Sequence, residues 1–420
     1  MKYNKISAAL IIGAIVILGI TEQQTRAAIY YLNITTNIQP GNPQEWATND
    51  DLYVGNSGID GALIIQNAGV VTNSKGYIGT AVNSSGRVLV DGAGSIWICT
   101  NELDVGYSSP GAYTGRLEII NGGKVYAWAS GGGYIGHYQN ATYGPANGYC
   151  IVSGADSELY CGPQGGSVKN ITIGSAGNGY LTITNGGKVS CNILTLGANA
   201  TANYNTEGII AVSGTGSMFT TSQLNLGGAY SKGVITITDG GAVTTGYVRA
   251  GAAIGLGGGQ TGYGIITVNG TNASLGIGYS GTRSMVVGGY DTTGPLGPGS
   301  ISLLGGGRIT ATMEILVYSN STLSFEIGSI FNPLHCDTSV ILSNSVAIAI
   351  SLASGFAPTP SQPYTLISAD TSVVVTNVAN LVLNVSTIKG LRATLSRSSD
   401  TKALQVTFLP VPAGTIFTIR

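Results

Sequence analysis

The sequence predicts an all-β protein: a parallel β-helix, or β-solenoid, of about nine coils with a β-rich C-terminal cap. Three observations carry that prediction. A strand motif, Gly-x-apolar-x-apolar, recurs nine times, opening at Gly61, Gly86, Gly115, Gly148, Gly179, Gly208, Gly233, Gly264 and Gly299, in steps of 25 to 35 residues. A second motif, apolar-x-apolar-Gly, precedes many of these openings: Leu52 to Gly55, Leu103 to Gly106, Ile171 to Gly174, Leu194 to Gly197, Leu224 to Gly227 and Met285 to Gly288. Composition agrees. The 420 residues include 65 glycines and only 9% charged side chains, with no Gly-X-Y period of the collagen kind.

In chain order, residues 1–27 have the layout of a secretory signal peptide. Lys2 and Lys5 precede an apolar run from Ile6 to Ile20, and a polar stretch leads to Thr25-Arg26-Ala27-Ala28. A cleaved signal is expected over an uncleaved anchor, because the run falls short of the ~18–20 residues that a span requires. The mature chain would keep 15 basic and 18 acidic residues and no membrane span. Residues 28–51, with Pro40, Pro43 and Trp46, are expected to cap the first coil.

The repeat array is assigned to residues 52–309. In the opening strands the two apolar positions run from Leu63/Ile65 through Val88/Val90 and Leu117/Ile119 to Ile301/Leu303, and only Cys150 among the eighteen is not aliphatic. Alternation across a strand puts all eighteen on one side. A third strand per unit is implied by the lone apolar residue past each corner, such as Val125, Val189 and Val243. The corners alternate. Odd units end in Asn-Gly-Gly or a relative, and even units in Ser-Gly-x-x-Ser or a relative, at Asp91 to Trp97, Ser153 to Leu159, Ser213 to Phe219 and Asn269 to Leu275. These residues accept positive φ and hydrogen-bond corner amides, so the glycines are geometric. Three short strands in 25 to 35 residues are too few for a propeller blade, which takes four in about 40. Beyond Ile309 glycine thins, longer alternating runs appear, and residues 310–420 are expected to form the C-terminal cap.

The alternation of x-L-x-I-x-N-G-G-x-V with x-V-x-V-S-G-x-G-S-x-W/F over residues 52–309 resembles the bacterial autotransporter-associated repeat, found also in exported proteins with a PEP-CTERM sorting tail. The run Val340 to Leu366 looks like the segment that follows such repeats. The resemblance implies an extended, exported protein, extracellular or on the outer cell surface, with a structural or adhesin-like role.

Length varies almost wholly between the second motif and the next opening glycine. Those loops are therefore expected along one edge, where Tyr107, Tyr113, Tyr138, Tyr143, Tyr204, Tyr263 and Tyr290 would offer contacts to glycans or surface proteins. Net charge is −1 with no basic block, which argues against nucleic acid. No cofactor motif is present. Two histidines (His137 and His335) and five cysteines without CxxC spacing give no zinc pattern. Cys150 and Cys161 could pair across a corner, or Cys150 could simply be core. The enzymatic alternative is a β-helix polysaccharide lyase or glycoside hydrolase, for which the best carboxylate pairs are Glu102 with Asp104 and Asp156 with Glu158. No Arg, Lys or His adjoins either pair in sequence, so a non-catalytic role is expected, with His137 as a solvent-exposed loop residue.

Overall fold

A computed structural model describes residues 28–32, 34–35, 45–81, 83–107, 114–127, 133–137, 139–140, 144–163, 166–198, 206–228, 230–250, 262–278, 281–290, 294–295, 297–375, 377–385 and 390–411. The signal peptide expected at 1–27 lies outside them. The described chain is nearly all-β, dominated by long parallel sheets as in β-helices and solenoids. No helix among the described residues is long and apolar enough to cross a membrane.

The opening strands stack into one sheet, the first face. All nine opening glycines stand in register, from Gly61 beside Gly86 to Gly264 beside Gly299. The eighteen apolar side chains of these strands are at most 2% exposed, Cys150 among them. Each becomes a rung of a continuous ladder inside the coil, and the residues between them face out. The outward positions carry the charges: Arg116 pairs with Glu118 at 2.7 Å, and Arg87 reaches the same carboxylate from the preceding strand.

The second face is built from the segments just past the corners, for example Lys124–Ala127 beside Glu158–Tyr160. The third is built from the apolar-x-apolar-Gly segments, for example Gly133–Ile135 beside Ile171–Ser175. In several turns a single long strand serves both faces, as in Val70–Ile78, Ile96–Val105 and Met218–Leu226. The first of these bends between Asn73 and Lys75, where the register shifts.

Parallel pairing does not stop at Ile309. Gly299–Leu304 pairs with Thr322–Ile327, then Ala347–Leu352, then Val382–Val385. Antiparallel pairing at this end begins where Pro363–Ala369 meets Ala403–Pro410, which also pairs with Leu391–Arg397. The boundary expected at 309/310 is therefore a change of sequence style within a continuing sheet. Glycine thins there, but alternation persists, and Leu323, Phe325, Ile348 and Ile350 stay buried. The closing hairpin, with Leu404, Val406 and Phe408 buried, covers the open end. At the other end Ala28–Leu32 lies antiparallel on Gly61–Gln66.

The alternating corners are chemically complementary. In the odd units the two central residues both have positive φ (Asn121 53°, Gly122 89°) and Gly123 N–H donates to Ile120 O at 2.9 Å, a type I′ turn. Such a turn leaves its middle amide unpaired within the turn. The serine of the next even unit accepts it: Ala68 N–H to Ser95 Oγ at 3.2 Å, Gly122 N–H to Ser157 Oγ at 2.9 Å and Gly186 N–H to Ser217 Oγ at 3.0 Å. Ser157 Oγ in turn donates to Ser153 O at 2.8 Å, and the side chain is fully buried. Ser157→Ala strands the Gly122 amide, so chemical denaturation should read a loss of about 1–2 kcal/mol.

All five cysteines are buried free thiols, so the pairing considered between Cys150 and Cys161 is not formed. Burial pushes the Cys150 and Cys191 thiols up to about 12, which removes their thiolate chemistry.

Candidate functional site

On the third face the middle residue of each apolar-x-apolar-Gly segment points away from the core. In register these positions carry Tyr53, Tyr77, Asp104, Tyr134 and Thr172. One residue past the corner glycines come Tyr107 and His137, with His137 N–H donating to Gly106 O at 3.1 Å. The two rows meet edge to edge. Tyr53 stacks on Tyr77 with centroids 5.0 Å apart, Tyr77 meets Tyr107 at 5.4 Å, Tyr107 meets His137 edge-on at 5.4 Å, and His137 lies flat on Tyr134 at 3.6 Å and 3°.

Among these rings sits one carboxylate. Asp104 is fully buried, and its Oδ2 meets His137 Nδ1 at 2.9 Å. Its Oδ1 has no hydrogen-bond partner among the described residues. Burial pushes the Asp104 carboxyl up to about 6, against the pull of His137. Glu102, two residues earlier on the same strand, pairs with Lys75 of the preceding turn at 3.2 Å. Glu102 and Tyr77 raise the Lys75 ammonium above its ordinary value and so keep it charged. Burial, reinforced by Glu102, pushes the Tyr77 phenol up to about 12, and burial with Asp104 also raises Tyr134. The Tyr77 and Tyr134 phenols are therefore neutral, and the ion pair of Lys75 with Glu102 lies beside the aromatic row.

The variable-loop tyrosines are placed differently from one another. Tyr107 is no free loop residue: its ring is partly buried between Tyr77 and His137. Tyr263 is 40% exposed at the start of Tyr263–Asn269, beside Lys232. Tyr290 belongs by its backbone to a two-residue hairpin, Gly289–Tyr290 with Gly294–Pro295. Tyr113, Tyr138, Tyr143 and Tyr204 lie outside the described residues. His137, expected in solvent, is instead held by Asp104 and Tyr134. The two carboxylate pairs also separate: Glu102 and Asp104 converge with His137, whereas Asp156 sits in a turn at φ 64° and Glu158 pairs with Lys124 at 3.5 Å. Their partners come from neighbouring turns, which adjacency in sequence could not reveal.

Tyr53, Tyr77 and Tyr134 escaped the sequence reading, although the signal was available. The segments Gly76-Tyr77-Ile78-Gly79 and Gly133-Tyr134-Ile135-Gly136 are the second motif with glycine in its first apolar place. Aligned with Leu103 to Gly106 they bring Tyr77, Asp104 and Tyr134 into one column. Further along the molecule a shallow groove of about 320 Å³ is lined by Asn192, Gln223, Tyr247, Arg249 and Arg283, with the Arg249 guanidinium 4.8 Å from the Tyr247 ring centre.

No family model matches the chain. A stretch of 130 residues, 31% of the chain, is 29% identical to "Uncharacterized protein YuaQ" of Escherichia coli (strain K12). It covers 8% of that relative, so the present chain spans well under two thirds of its length.

Proposed function

We propose that this chain is an exported, non-catalytic β-helix, with about nine coils written in its repeats, that acts at the cell surface as a structural or adhesin-like element. Its contact surface is the third face and the edge beside it, where Tyr53, Tyr77, Tyr107 and Tyr134 would meet glycans or surface proteins. One observation carries the reading. Outward positions of a rigid parallel sheet hold a row of partly exposed rings, two of them stacked at 5.0 Å, where solvated polar residues would suffice for folding alone. The sequence resemblance to autotransporter-associated repeats and the signal-like residues 1–27 support export and surface location. Asp104 supports the non-catalytic role, since a carboxylate with no exposure cannot reach a glycosidic bond.

The test is a glycan array and a cell-binding assay with the mature protein, beside Tyr77→Ala and Tyr134→Ala, with Tyr149→Ala on the first face as control. Wild type should bind, and the two third-face variants should lose at least about tenfold in affinity, the scale of a well-placed ring contact. Blank wild-type results reduce the role to a scaffold. Depolymerisation of a polysaccharide by wild type, abolished in Glu102→Gln, replaces the reading with the lyase or hydrolase alternative.

A further inference from the structure

We propose that Glu102, Asp104 and His137 form a binding site for a divalent transition-metal ion of the Zn²⁺ class. Their donor atoms, two carboxylate oxygens and one imidazole nitrogen, lie within 4.8 Å of one another. Bonds of about 2.0–2.2 Å to a shared ion need donors no more than about 4.4 Å apart, so a small swing of the Glu102 side chain completes the set.

The independent observation is Asp104. Its neighbours in register are Tyr77 and Tyr134, and it is fully buried beside them. Its Oδ1 has no hydrogen-bond partner among the described residues, while Oδ2 of the same carboxylate meets His137 Nδ1. An unsatisfied oxygen on a buried carboxylate is costly, and a cation at this point satisfies it. His137 is already oriented: the flat contact with Tyr134 and the edge of Tyr107 fix its ring plane, the role that outer groups play around a metal-bound imidazole. One nitrogen with two carboxylates selects against Ca²⁺ and Mg²⁺, which prefer all-oxygen sets. Lys75 is the internal competitor, since its ammonium occupies Glu102 Oε2 at 3.2 Å and must yield as the ion enters.

The site is tested on chelator-treated full chain by titrating ZnCl₂ in a calorimeter and CoCl₂ by visible absorption. One ion per chain should bind, raising the thermal midpoint as ligand linkage requires. His137→Gln and Asp104→Asn should each abolish saturable binding. Lys75→Met should tighten it roughly tenfold, since a cation beside the Glu102 carboxylate is removed. His335→Ala, which disrupts the exposed cluster of His335, Asp337 and Asp370, should change nothing. If Asp104→Asn does not fold, as judged by circular dichroism, His137→Gln on the partly exposed histidine decides. No saturable binding by wild type overturns the proposal, as does binding that survives His137→Gln or that His335→Ala removes. The outcome does not depend on whether the aromatic face takes a glycan.

Discussion

Gly115→Ala should cost about 3 kcal/mol or more and lower the denaturation midpoint well beyond Gly92→Ala. Gly115 does not have a left-handed backbone, so its need for glycine comes from the neighbouring chain. A Cβ built there lies 2.1 Å from Gly106 N and 2.4 Å from Ile78 O, atoms of the third-face corners of its own and the preceding turn. Gly106 N–H donates to Ile78 O at 2.8 Å, so the intruding methyl would strike a backbone hydrogen bond that spaces two turns. No side chain is available to rotate aside. The comparison is Gly92→Ala. Gly92 has φ +89° but nothing within 4 Å of a built Cβ, so it loses only the conformational term of about 1–2 kcal/mol. Because neighbouring turns stabilise each other in a stacked array, the damage should be local first. Hydrogen exchange at Gly106 and Ile119 should accelerate before that of the distant Ile235. Equal costs for the two variants would show that the opening glycines are not set by interturn contact.

Those glycines were also the most legible part of the chain. Their spacing identified the first face residue by residue, because one steric demand repeated every turn leaves one letter that cannot vary. The alternation of corners was readable too, though not its reason: that Ser157 Oγ receives the Gly122 amide across 35 positions depends on which turns are neighbours. Past Ile309 the parallel pairing continues without the glycine code, carried by the alternation of Leu323, Phe325, Ile348 and Ile350, so the change of sequence signature is no limit of the sheet. The candidate site was the least legible. Lys75, Glu102 and Asp104, and His137 belong to three successive turns, and sequence adjacency, which was used to judge the carboxylates, carries no information about contacts along a solenoid axis. Register does, and it places Tyr77, Asp104 and Tyr134 in one column.

Register also explains why two copies of the second motif begin with glycine, and the two should respond to mutation with opposite signs. At Gly76 the missing side chain is replaced by Trp97 of the next turn: a Cβ would lie 2.6 Å from Trp97 Cζ2 and 2.8 Å from Cys99 Sγ. Trp97 is fully buried inside the coil and its Nε1 donates to Asn73 Oδ1 at 2.6 Å. Gly76→Ala should therefore cost about 1–3 kcal/mol by overpacking. Trp97→Val should cost about 3–5 kcal/mol through the cavity and the abandoned Asn73 carbonyl. Combined as Gly76→Ala with Trp97→Val, the added methyl faces the smaller side chain, and the cycle should show a favourable coupling of about 2 kcal/mol. Gly133 has no such occupant. A Cβ there meets Leu103 O at 3.7 Å and Ile171 Cγ1 at 3.8 Å, ordinary contacts, and a void of about 10 Å³ lies against it. Gly133→Ala should stabilise the protein by about 0.4–1 kcal/mol, through the unfolded chain's lost freedom and the filled space. Strict additivity in the Gly76 and Trp97 cycle would show that the two sites do not share volume. Destabilisation by Gly133→Ala would show that the third face tolerates no bulk beneath Tyr134, and glycine there would then belong to the site rather than to the core.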